Sequence, residues 1–189
     1  MNWACFVDYV EKFQTLIAGM VAIAAAGIAY LGALKQARAV VDAEQHRMLE
    51  QRRAVAGALW AELASVGTRL FADAQRLRST RVRDGRLLDL TPLDISVFAA
   101  NLSALGTLPP DDALVVTQVY KLIIDLNTVY AKVSSSPGTD DQWASSIGHY
   151  VESVVQQVRV TLGGLRETAG MPEDKAAAAM SPWSPAPRG

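Results

Sequence analysis

The sequence predicts an all-α chain: an N-terminal transmembrane helix continuing into a polar stalk and a small antiparallel helical bundle. Three observations carry that expectation. Phe13 to Leu34 is a run of 22 residues without a charge, set between Lys12 and Lys35. Beyond it, apolar residues recur at three- and four-residue intervals, the spacing that lines one face of a helix. No stretch alternates apolar and polar residues as a half-buried strand does.

The length of 189 residues suits one ordinary domain plus an extension. Half of the chain is apolar, which excludes a disordered polar polymer. One cysteine excludes a disulfide framework, and two histidines disfavour a histidine metal centre. Net charge is −1, but it is unevenly spread. Residues 35–86 hold 11 Lys/Arg against 6 Asp/Glu, whereas residues 87–189 hold 6 against 11.

The uncharged run sets the expected location. At about 1.5 Å per residue it spans roughly 33 Å, enough for a hydrocarbon core of about 30 Å. A secretory signal is disfavoured, because Asp8 and Glu11 precede the run where basic residues belong. Trp3, Phe6, Val10, Phe13 and Ile17 share one helical face, so residues 1–12 form an amphipathic lead-in that rests at the interface. Lys35, Arg38, Arg47, Arg52 and Arg53 follow the run and only Lys12 precedes it. Basic residues stay on the cytoplasmic side, so the N-terminus is expected outside and residues 35–189 inside. Ala18, Ala22 and Ala26, and again Ala25, Ala29 and Ala33, form small-residue rows that permit close helix approach.

Residues 35–53 carry no Pro, no Gly and no broad apolar face, which reads as a helical stalk. A bundle is expected over 54–169. Its first helix carries Leu59, Leu63, Val66, Leu70, Ala74 and Leu77, widened by Trp60 and Phe71. Asp84-Gly85 signals a turn. Thr91-Pro92-Leu93-Asp94 predicts a helix start, with Thr91 as cap and Pro92 in the first turn. Ile95, Phe98, Leu102 and Leu105 form its stripe, and Gly106 is the expected left-handed stop. Pro109-Pro110-Asp111-Asp112 opens the next helix with acids at its positive end. Val115, Val119, Leu122, Leu126, Val129 and Val133 follow strict heptad spacing, with Val116, Tyr120, Ile123 and Tyr130 alongside. After a loop at 134–138, Thr139-Asp140-Asp141-Gln142 fits a capping box. The last helix carries Trp143, Ile147, Tyr150, Val154, Val158, Leu162 and Leu165, with Gly163-Gly164 weakening its end. Residues 170–189 read as a disordered tail.

The most conspicuous polar feature is Arg69, Arg76, Arg78, Arg81, Arg83 and Arg86. Arg76, Arg78, Arg81, Arg83 and Arg86 are the candidate phosphate-binding residues, for nucleic acid or an anionic lipid. No aromatic residue interleaves them, so stacking on single strands is poorly supported. The competing and favoured expectation is a solvated helix end whose arginines complement the dipole and pair with acids. His46 and His149 are far apart, and neither sits in a metal-ligand spacing. Asp111-Asp112 and Asp140-Asp141 read as first-turn acids. Tyr120 and Tyr130 read as core residues with hydroxyls at the rim. Cys5 reads as an interfacial residue. No catalytic residue, cofactor or metal is expected.

Two stretches carry a resemblance. Phe13-Gln14-Thr15-Leu16-Ile17-Ala18-Gly19 leads into the Ala-rich segment and Lys35-Gln36. Phe98-Ala99-Ala100-Asn101-Leu102 leads to Leu105-Gly106-Thr107-Leu108-Pro109 and the helix containing Val119-Tyr120. Together, about a third of the chain, they resemble small bacterial single-pass inner-membrane proteins known only from sequence. The resemblance implies a bacterial inner-membrane setting and transfers no site residue. The resulting expectation is a membrane-anchored cytoplasmic scaffold or interaction module and not an enzyme. Its partners would be the bilayer and another protein, or itself through anchor or bundle. Nucleic acid is disfavoured.

Overall fold

A computed structural model describes residues 3–79, 90–135 and 141–180. Every regular element among the described residues is helical. In order they are α1 (Trp3–Ser79), α2 (Ser96–Asn101), a 3₁₀ segment (Leu102–Thr107), α3 (Pro110–Ser135), α4 (Asp141–Ala169) and α5 (Glu173–Met180). The chain divides into two compact units, Met1–Met48 and Leu49–Gly189, and α1 contributes to both.

In the first unit, every described side chain from Phe13 to Met48 is exposed. Among the described residues, one helix is long and apolar enough to cross a membrane, and its most apolar stretch is wholly unburied. No Pro or Gly falls between Leu34 and Ala56, so nothing in the covalent chain breaks the helix there. The side chains of the expected interfacial lead-in at 1–12, Cys5 among them, lie outside the described residues.

In the second unit, burial begins at Val55. The predicted α1 stripe is buried in full: Leu59, Leu63, Val66, Leu70, Ala74 and Leu77. Against it pack Val116, Val119, Tyr120, Ile123, Leu126 and Tyr130 of α3, and Val151, Val154, Val158, Leu162 and Leu165 of α4. The Trp143 side chain lies outside the described residues.

Contacts fix the direction of each leg. Glu62 meets Tyr120 and Asp73 meets Tyr130, so α1 and α3 run parallel. Leu77 lies under Gly148, while Asp112 meets Thr168, so α4 runs antiparallel to both. The return leg between α1 and α3 is residues 91–107. It descends α1 from Arg69 at Thr91, through Glu62 at Val97, to Arg52 at Thr107. Consecutive legs are therefore antiparallel, as expected, and the second leg is the short one, a six-residue α-helix followed by six residues of 3₁₀ helix.

That leg corrects three local expectations. The helix starts at Ser96, not at Thr91, and no side chain caps it at Ile95. The backbone of 91–93 is already committed elsewhere. Arg69 takes the carbonyls of Thr91 and Pro92, and the Asn127 amide both donates to and accepts from Leu93. These bonds hold the segment extended. Leu102 points to solvent, because the chain tightens into 3₁₀ geometry there and shifts the helical phase. Among the described residues only Gly170 has positive φ, so Gly106 is not a left-handed stop.

α4 closes on a glycine. It runs through Gly163-Gly164 to Ala169 and stops at Gly170, with φ of 66°. The Met171 N–H donates to the Arg166 carbonyl and the Gly170 N–H to the Glu167 carbonyl, both at 3.0 Å. This paired closure needs a residue tolerant of the left-handed region, which glycine supplies without steric cost. The expected tail from Gly170 is ordered as far as Met180. α5 buries Ala176, and Glu173 lies 3.5 Å from Arg166. Glu173 and Asp174 stand in its first turn, where carboxylates favour a helix. Residues 181–189 lie outside the described residues, as do Thr139 and Asp140 of the expected capping box.

Candidate functional site

The arginine cluster was the one polar constellation visible in the sequence. Arg69 forks onto the return leg, donating to the Thr91 carbonyl at 2.7 Å, to the Pro92 carbonyl at 3.2 Å and to the Thr91 hydroxyl. Arg76 stands 3.7 Å from Asp73, one helical turn back. Arg78 pairs with Glu152 of α4. All three described members of the cluster thus have partners on their own chain. Arg76 and Arg78 also close the last turn of α1, where cations suit the dipole. Arg81, Arg83 and Arg86 lie outside the described residues.

Two polar nodes, one half-buried and one buried, were not legible in the sequence. The first centres on Glu62. Its Oε1 accepts the Val97 N–H at 2.7 Å, and its Oε2 accepts the Phe98 N–H at 2.9 Å and the Tyr120 hydroxyl at 2.6 Å. Asp94 accepts the Ser96 N–H at 3.0 Å, and Glu62 supplies from α1 the acceptors for the next two N–H groups of α2. The bonded N–H groups are the orphan donors of a helix start, where negative charge is favourable. The Phe98 ring stacks on Tyr120 with centroids 3.9 Å apart and planes 9° from parallel. Burial, then the Glu62 carboxylate, pushes the Tyr120 hydroxyl well above the usual tyrosine range. It stays protonated and acts only as a donor.

The second node is Asp73, which is buried in the core. Its Oδ2 accepts from the Tyr130 hydroxyl at 3.4 Å, a long bond. Burial raises the Asp73 carboxyl above its ordinary value, opposed by Arg69, by the Tyr130 hydroxyl and by Arg76. Burial and Asp73 in turn raise Tyr130. Tyr120 and Tyr130 are both fully buried, so their hydroxyls lie deeper than the rim expected for them.

The remaining candidates are dispersed. His46 is exposed on α1. His149 is exposed, with Nδ1 3.9 Å from Glu152. Asp112 accepts from the Thr168 hydroxyl and so ties α3 to α4. The side chains of Asp140 and Asp141 lie outside the described residues. Among the described residues, no three His, Cys, Asp or Glu side chains converge on a position that could hold a metal ion.

One open groove runs between α3 and α4, with a volume of about 400 Å³, lined by Val115, Val119 and Leu122 with Gln118, Lys121, Asp125 and Gln157. It coincides with part of a departure from the heptad reading, at Val115 and Leu122. Val119, Leu126 and Val133 are buried, but Val115, Leu122 and Val129 are only half-buried.

Comparison with known proteins adds no assignment: no family model, curated protein or solved structure matches this chain.

Proposed function

We propose that this chain is a single-pass protein of the bacterial inner membrane that presents its helical bundle to the cytoplasm as a scaffold or interaction module. One observation carries the reading. The segment Phe13–Leu34 is helical and uncharged, and its described side chains contribute nothing to the core. Leaving that much apolar surface in water is unfavourable by about 25 cal/mol per Å², and a bilayer removes the penalty. The basic residues Lys35, Arg38, Arg47, Arg52 and Arg53 after the segment favour a cytoplasmic bundle. The polar groups of the bundle support a scaffold, because Glu62, Arg69 and Asp112 are spent on joining helices.

The test is a pair of reporter fusions, after Arg53 and at Gly189, each read with a cytoplasm-active and an exterior-active enzyme. Both positions should report the cytoplasm, and the protein should leave membranes only with detergent. Extraction by alkaline carbonate alone would reject the anchor, and an exterior signal at Gly189 would reject the orientation.

A further inference from the structure

We propose that residues 13–48 of α1 form a parallel seam against a second copy of this chain. The inference rests on the membrane reading for the common orientation of the two copies. Phe13, Met20, Gly27, Leu34, Val41 and Met48 recur at strict intervals of seven. Leu16, Ile23, Tyr30 and Ala37 recur three positions after the first four. Apolar residues are expected anywhere in a span, so the informative members lie beyond it. Past Lys35 the helix is polar, yet Val41 is 55% exposed and Met48 is 59% exposed.

Helical geometry identifies what covers them. A straight α-helix drifts about 20° per seven residues, so a row held at that interval slides roughly 100° around the helix between Phe13 and Met48. Such a row keeps one facing only when two helices wind around each other in a left-handed sense. Two copies inserted into one bilayer share their polarity, so a two-fold axis along the pair brings each residue against its own equivalent. Gly27 is the small member of the row, and a glycine allows close helix approach inside the span. Glu44 occupies the inner position that follows Ala37. A single polar layer lowers the affinity of a seam and fixes its register. Arg47, which flanks the seam as Val40 does seven residues earlier, has a side chain long enough to reach that layer and neutralise it. The seam ends after Met48, since Arg52 turns to its own bundle and donates to the Thr107 carbonyl at 2.8 Å.

Val40 and Leu49 supply the controls. They are 63% and 46% exposed and flank the seam positions directly, but they point off it. The full-length chain, purified in detergent, is followed by sedimentation as a function of protein-to-detergent ratio. Val41→Asp and Met48→Asp should each weaken dimerisation at least about tenfold by burying a charge. Val40→Asp and Leu49→Asp should change it less than about twofold, and Glu44→Leu should tighten it about tenfold. In membranes, a Cys5→Ser chain carrying Val41→Cys or Met48→Cys should crosslink on oxidation, while Ala39→Cys and His46→Cys should not. Equal weakening at 40 and 41, crosslinking at all four positions, or a monomer at every ratio would overturn the seam. The reporter fusions separate the two failures. A chain that inserts but stays monomeric loses the seam alone, whereas a detergent-free dimer with this substitution pattern loses the anchor alone.

Discussion

Replacing Glu62 by alanine tests the central joint of the bundle. The substitution deletes the acceptor for three donors at once: the Val97 N–H, the Phe98 N–H and the Tyr120 hydroxyl. A buried donor left without a partner costs about 1–3 kcal/mol. Glu62 is half-buried and Val97 half-buried, so water can reach part of the site. Phe98 and Tyr120 are buried and cannot be rescued so readily. We therefore expect Glu62→Ala to cost about 3–4 kcal/mol. At roughly 2–4 °C per kcal/mol for a chain of this size, the melting temperature should fall by about 6–16 °C. Tyr120→Phe removes one donor and leaves both backbone bonds, so it should cost about 1 kcal/mol. The assay is urea unfolding of the full-length chain in detergent, followed by far-ultraviolet circular dichroism and Tyr120-sensitive near-ultraviolet signal. The double variant should cost clearly less than the two single variants added together, because Tyr120 has nothing to donate to once Glu62 is gone. A cost below about 1 kcal/mol for Glu62→Ala, or strict additivity in the double variant, would refute the shared-acceptor reasoning.

Three further outcomes follow from the same contacts. Asp73 has its carboxyl raised by burial, so the folded state holds the proton more tightly than the unfolded chain and stability falls as pH rises from the ordinary Asp value through the raised one. Asp73→Asn should flatten that slope and gain on the parent toward neutral pH, by about 1.4 kcal/mol per unit of upward shift, in unfolding curves taken from pH 4 to 8. Leu126→Ala should cost about 2–5 kcal/mol in urea unfolding, since Leu126 is fully buried, whereas Leu122→Ala in the half-buried row should cost about 1 kcal/mol; equal costs would place the core boundary of α3 elsewhere. Gly170→Ala should cost about 1 kcal/mol because φ is 66° there, and hydrogen exchange should rise first in α5.

Periodicity located the long helices because each has one wide face turned to a single core. The α1 stripe from Leu59 to Leu77 was legible residue by residue, and the acids of Asp111-Asp112 marked the start of α3 within a residue. The return leg was misread for a definite reason. Thr91-Pro92 has the local chemistry of a helix start, but the fork of Arg69 lies 22 residues away in sequence and claims its backbone first. Local preference at Thr91 is worth about 1 kcal/mol, and the Arg69 fork together with the two Asn127 bonds at Leu93 outweighs it in sum. Nothing within reach of Thr91 in the sequence announces the competitor. Residues 173–180 were missed for the opposite reason: eight residues are too few to display a period, and α5 is held by Ala176 and by Arg166 across a turn.

The polar nodes mark the limit of reading faces. A pattern states which side of a helix is apolar, but not which helix it meets or which polar residue is drawn in with it. Glu62 sits one residue before Leu63 at the edge of the α1 stripe and resembles any solvated glutamate. It becomes a joint because the short second leg brings bare helix-start N–H groups against α1, and a carboxylate is the side chain best suited to receive them. The signal that could have exposed it was an absence: Ile95, at the start of α2, has no side chain able to cap. A helix start with no cap of its own must find an acceptor elsewhere. In this chain Asp94 accepts the Ser96 N–H at 3.0 Å, and Glu62 of α1 takes the Val97 and Phe98 N–H groups. The same demand explains why Arg69 and Asn127 are also spent on residues 91–93. The irregular leg is held by side chains from its neighbours, and those side chains are then unavailable to bind anything else.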